Sequence, residues 1–256
     1  MSSPVKEWFL LRGLTREARH WGGFPQHLGA ALDGARVTCL DLPGNGRHNG
    51  LASLRSVEAM ADWCHAEFGR RGGTGPCGVV AMSLGAMVAV AWAQRHPDDL
   101  AAAVLINTSL RPFNPFYRRL RPANYLRLAR LMGFSVSDRE IETAILRMTT
   151  RMQQDARTTI DQWLQWRNEN PVSRRNALIQ LLAAARYYAP RQRPLQRILL
   201  LASTSDGLVD ASCSQQLAAQ WDAAIAIHPA AGHDLPLDDA PWVLEQIDSW
   251  LEGHER

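Results

Sequence analysis

Short apolar runs alternating with segments of helical spacing restrict the fold of this chain more than any other feature. Trp8-Phe9-Leu10-Leu11 stops at Arg12-Gly13, and the run 36–40 stops at Asp41-Leu42-Pro43-Gly44-Asn45-Gly46. Both have the length and turn-bounded form of strands. Residues 57–70 place Met60, Ala61, Cys64 and Phe68 at helical intervals. A strand at Gly78-Val79-Val80-Ala81-Met82, a small-residue helix over 84–95 and a strand over 101–106 follow. Such alternation predicts parallel βαβ units, hence an α/β protein with a mostly parallel sheet flanked by helices.

The alternation breaks at about residue 111. As far as Pro194 only helical periodicity is present, carried by Leu126, Leu128, Leu131, Met132, Ile141, Ile145, Met148, Trp163, Leu178 and Leu181. Strand signals return at 198–201 and 223–227, and an amphipathic helix over 242–251 closes the pattern. The expected organisation is a core of 1–110 and 195–256 with an all-helical lid, 111–194, inserted between late strands. Charge divides at the same places. The lid segment holds 16 arginines against 6 acidic residues, a balance of +10, whereas the remainder stands at −7.

Chemistry concentrates at the ends of the apolar runs. Ala81-Met82-Ser83-Leu84-Gly85 lies between a strand and a helix, where a sharp turn lifts a serine above the sheet and small neighbours make room for it. A serine hydroxyl needs a base to take its proton. Candidates in the order Ser, Asp, His follow the two later strands: Asp206 in Ser205-Asp206-Gly207, with Asp210 as an alternative four residues on, and His233 in Gly232-His233-Asp234. The backbone N–H of Leu84, after the nucleophile, and that of Leu14, after the first strand, are the expected oxyanion donors; one such donor contributes ~2.7–4 kcal/mol.

These segments together resemble the α/β-hydrolase superfamily, and in particular its small lidded carboxylesterases. The resemblance covers both ends of the chain but not the lid. It implies cleavage of an ester or thioester through an acyl-enzyme on Ser83, with no cofactor, while related enzymes perform lyase or C–C cleavage chemistry and others only bind ligands. Arg12 stands where the family usually has histidine before glycine, which is expected to alter the mouth of the site. Arg47-His48 replaces the common Arg-Ser.

Other signals point elsewhere less well. Gly44-Asn45-Gly46 lacks the third glycine and the lysine of a phosphate loop, and His228 with His233 has no third metal ligand. Arg118, Arg119, Arg121, Arg127 and Arg130 suit either a solvated surface or an anionic group: a substrate carboxylate, a coenzyme A phosphate or an acyl carrier protein. Nucleic acid is disfavoured by the acidic remainder. Phe113, Phe116, Tyr117, Trp163 and Trp166 read equally as an acyl pocket or as lid core. No run reaches a membrane span, no secretion signal is visible, and four scattered cysteines predict reduced thiols in the cytoplasm.

Overall fold

The computed structural model describes residues 5–73, 75–131, 133 and 136–253. Met132, expected on a lid helix, and the first four residues lie outside the described set. Among the described residues six strands form one parallel sheet: β1 (Glu7–Leu11), β2 (Arg36–Leu40), β3 (Cys77–Met82), β4 (Leu100–Ile106), β5 (Ile198–Ser203) and β6 (Ala224–His228), in the order β2-β1-β3-β4-β5-β6. Every residue of β3 and β5 is buried, as their unbroken apolar sequences require of strands covered on both faces.

Alternation along β1 assigns the two faces. Phe9 and Leu11 enter a core with α2 (Val57–Arg70) and α3 (Leu84–Arg95), whereas Trp8 and Leu10 pack with α1 (Phe24–Ala31) and with a C-terminal helix, Ala240–Gly253. Periodicity does not predict helix α1; its Phe-Pro-Gln-His-Leu-Gly sequence buries only Phe24 and Leu28, too sparse a stripe to stand out. A helix at Ser212–Trp221, between β5 and β6, is likewise an addition to the expected elements.

Between β4 and β5 the chain builds a helical insertion: α4 (Phe116–Arg119), α5 (Tyr125–Leu131), α6 (Asp138–Thr149), α7 (Ala156–Glu169) and α8 (Arg174–Arg186). The three longer helices start at side-chain caps, Ser137, Asp155 and Ser173, each accepting a backbone N–H that the first turn leaves unpaired. Ser137 and Glu140 complete a reciprocal capping box. The two ends of the insertion meet at a bridge between Arg111 and Tyr188, where Ala189 N–H donates to Arg111 O at 2.7 Å.

Strand order determines where this sheet can hold a ligand. The chain passes from β2 across β1 to β3, so the loops leaving β1 and β3 diverge to opposite sides. That divergence opens a crevice at the carboxyl edge, the usual place for a ligand in such sheets. Helix α3 reaches the crevice only because it can pack tightly on β1. A Cβ on Gly85 would stand 2.5 Å from Leu11 O and 2.7 Å from Arg12 O. Gly85→Ala is therefore expected to cost about 1–3 kcal/mol of stability, as overpacking does. A thermal melt would reveal it, and a midpoint equal to the parent's would contradict this close approach.

Candidate functional site

Ser83 occupies the turn from β3 into α3 with φ 54° and ψ −116°, a left-handed backbone for a residue that is not glycine. Such a conformation costs roughly 1–3 kcal/mol and persists only where the surroundings enforce it. They do so here: Ser83 N–H donates to Ile106 O on β4 at 3.0 Å, and the first turn of α3 closes on Ser83 O. Gly13 packs directly against this turn, where an added Cβ would be 3.2 Å from Ser83 Cβ.

Asp206 and His233 come together at the ends of β5 and β6. His233 Nδ1 and Asp206 Oδ2 are 2.7 Å apart, with both residues buried. The other carboxylate oxygen accepts the N–H groups of Leu208 at 2.7 Å and Val209 at 3.0 Å, which fixes its orientation. Asp210, the alternative, turns away to Ser212 and Arg121. Asn107, just past β4 and itself left-handed at φ 47°, donates to His233 O at 2.7 Å and accepts Ser203 N–H at 3.1 Å, tying three strand ends together. Burial by itself pushes the imidazole pKa down. The charge and hydrogen bond of Asp206, reinforced by Asp234 and opposed by Arg12, outweigh it and hold the pKa above the usual 6.5.

Ser83, His233 and Leu14 border one cavity of about 430 Å³ and an adjoining one of about 300 Å³, the second also bordered by Leu84. Ser83 Oγ makes no hydrogen bond among the described residues, so hydroxyl and imidazole share the cavity without being bonded; such contacts often tighten only with substrate. Leu14 lies in a tight turn, Gly13 to Arg16, closed by Arg16 N–H to Gly13 O at 3.2 Å. Neither Leu14 N–H nor Leu84 N–H has a partner among the described residues.

The cavity wall differs from expectation. Leu128 and Leu131 of α5, Ile141, Ile145 and Met148 of α6, and Leu181 of α8 make it apolar. Trp163 does not contribute to it. That ring is 3% exposed between the insertion and the core, with the Arg16 guanidinium 4.1 Å above it and His20 alongside. Phe113 packs on Trp221 in the main core. Arg118 reaches Ser212, away from the cavity; Arg119 borders the smaller cavity, but its guanidinium donates to Ala184 O and Ala185 O. Trp163 and Phe113 thus help dock the insertion, whereas Phe116 and Tyr125 border the smaller cavity and aliphatic side chains make up most of the larger wall.

Arg12 also departs from expectation. It borders the cavity, yet it is 3% exposed and forks onto Asp234, with nitrogen–oxygen distances of 3.0 and 2.5 Å, while its guanidinium lies over Trp21. The pair joins the loop after β1 to the residue following His233. Sequence reasoning does not single out Asp234, Asn107, Glu142 or Gln180. Adjacency to His233 is a usable signal for Asp234; nothing local marks the other three. Arg12→Met is expected to leave a buried, unpaired carboxylate, to cost about 3–5 kcal/mol, and to raise the His233 pKa further because an opposing charge is lost. An NMR titration finding His233 at or below 6.5 in the variant would contradict this account.

Known proteins place this geometry in context. Over 75 residues, 29% of this chain and 27% of the other, the sequence is 39% identical to a pimeloyl-[acyl-carrier protein] methyl ester esterase of Chromobacterium violaceum. The fold is shared with a thermophilic esterase of Thermogutta terrifontis, at 20% identity over 96% of this chain and 89% of that one, TM-score 0.73. It is shared also with a monoacylglycerol lipase of Paleococcus ferrophilus, at 18% identity over 97% and 94%, TM-score 0.63. Residues 9–246 match one family description across strands, elbow and terminal helix alike, and the chain belongs to the alpha/beta hydrolase family.

Proposed function

We propose that this protein is a serine esterase that cleaves a carboxylic ester or thioester with an apolar acyl chain. The observation that carries the reading is the buried Asp206–His233 pair opening onto the same apolar cavity as the strained Ser83 turn. His233 takes the proton of Ser83 as Oγ attacks the acyl carbon, and the negative charge that develops on the carbonyl oxygen is met by the N–H groups of Leu14 and Leu84. The leaving alkoxide or thiolate receives the proton back from His233. Water, deprotonated by the same imidazole, then attacks the acyl-enzyme and releases the acid. Asp206 holds the ring tautomer and stabilises its charged form.

The insertion, 111–194, acts in this reading as a lid, and its aliphatic inner side receives the acyl chain. Its outer side bears the exposed Arg127, Arg130 and Arg175 on the same helices that line the cavity. An anionic portion of the substrate, or the acidic surface of an acyl carrier protein, is attracted there rather than inside, where Arg12 and Arg16 are paired with Asp234 and Glu142. The buried, unbridged Cys64, Cys77 and Cys213 suit a reducing, cytoplasmic setting. No helix among the described residues is long and apolar enough to cross a membrane.

Two measurements test the proposal. Ser83→Ala should abolish hydrolysis of p-nitrophenyl acyl esters, by at least about 10⁴-fold in kcat, with the melt unchanged, and a phosphonate should label the parent at Ser83. Turnover that survives the substitution, with no labelling, would point to chemistry without an acyl-enzyme. Steering by the outer arginines is read from salt. On an anionic acyl ester kcat/KM should fall as ionic strength rises past ~0.15 M, where the Debye length is about 8 Å, while a neutral ester is unaffected. A flat response on the anionic ester removes the steering role.

A further inference from the structure

The turn that carries Leu14 contains a residue poorly suited to its place. Thr15 is the third residue of the Gly13–Arg16 turn and has φ 58°. Turns of this hand favour glycine or asparagine there, and a β-branched side chain resists the conformation. The turn therefore needs holding from outside, and the contacts that hold it come from the insertion. Gln180 of α8 is fully buried, and its Oε1 accepts Thr15 N–H at 2.9 Å. Its Nε2 donates to Asn45 Oδ1 at 2.8 Å and to Ser53 Oγ at 2.9 Å, both in the loop after β2. The amide has one acceptor and two donors in use, so its orientation is determined. On the next residue of the turn, Arg16 is paired with Glu142 of α6 at 2.7 Å.

We propose that Gln180 is a positioning residue for the oxyanion site: by holding Thr15 N–H it keeps the preceding peptide, and so the Leu14 N–H, aimed at the developing charge. The site is complete only while the insertion is seated on the core. Without Gln180, Thr15 relaxes to a negative φ, the Leu14–Thr15 peptide rotates, and the adjoining Gly13–Leu14 peptide, which carries the Leu14 N–H, shifts with it. This inference rests on the proposed roles of Ser83 as nucleophile and Leu14 as donor.

The test is a set of variants assayed on a p-nitrophenyl acyl ester. Gln180→Met keeps the length of the side chain and removes the acceptor. It is expected to lower kcat about ten- to a hundredfold, less than or equal to the loss of a whole oxyanion donor, with KM within about threefold of the parent. Affinity for a trifluoromethyl ketone, which presents the oxyanion, should fall by the same factor as kcat/KM. Adding Thr15→Gly to Gln180→Met should recover most of kcat, because glycine adopts the turn without strain. Ser173→Ala, which removes the N-terminal cap of α8 without touching Gln180, its partners or the turn, should lower the melting midpoint and leave kcat alone. Should Gln180→Met not fold, Gln180→Asn, too short to reach Thr15, is expected to give the same kcat loss. A folded Gln180 variant with the parent's kcat overturns the proposal, as does a loss that Thr15→Gly does not restore. Failure of Ser83→Ala to abolish activity marks a different error, that of the esterase reading itself.

Discussion

Two backbones meet at the point where the sheet changes direction, and the arrangement of the site depends on how closely they do so. The loop leaving β1 runs past the start of α3 with Gly13 against Ser83 and Gly85 against Leu11 and Arg12, contacts that leave no room for a side chain on either glycine without displacement. Because the loops of β1 and β3 part here, the crevice between them is open above and rigid below. A serine forced into a left-handed turn at this edge borders the crevice, and Leu14 and Leu84 border the same space. The strain at Ser83 and at Thr15 is sustained by the elements that pack around them.

The insertion contributes charge as well as cover. Glu142 is 1% exposed and paired with both Arg16 and Arg167, at 2.7 and 2.9 Å, while Arg16 stacks on Trp163. Buried ion pairs add little net stability compared with apolar packing, but breaking one is costly, so they favour a single seating over near alternatives. Together with Gln180 and Asn176, these groups add polar, directional contacts to the apolar ones that Phe113, Ala183 and Tyr187 make with the core. The His20 imidazole lies in the same layer, and its burial beside Arg16 and Arg12 holds its pKa well below the usual value, so it stays neutral there. The wall facing the nucleophile is apolar by contrast. The insertion thus fixes its seating with buried polar groups and offers mostly hydrocarbon to the cavity.

The arginine excess of the insertion divides between two roles. A surplus of +10 suggests attraction of an anion, and the exposed arginines of α5 and α8 retain that role in the proposed function. Several others are structural: Arg167 spans Asp138 and Glu142, Arg119 ties α4 to the end of α8, and Arg139 meets Asp161 across α6 and α7. A planar guanidinium with five donors can join two helices where a lysine would meet only one acceptor well.

The chain alone determines whatever depends on near neighbours. Strand and helix periods, the elbow at 81–85 and the order Ser83, Asp206, His233 are all local patterns or their sequence. Helix α1 is not legible because only two of its residues face the core, and Trp163 is ambiguous because an aromatic at helical spacing serves a pocket or a packing contact equally well. The choice of Asp206 over Asp210, the pairing of Arg12 with Asp234 across 222 positions, and the reach of Gln180 to Thr15 across 165 are decided in three dimensions. Periodicity records which side of an element avoids water; it holds no record of which buried polar group will face which, since that depends on where separate loops arrive once the sheet and its helices have packed.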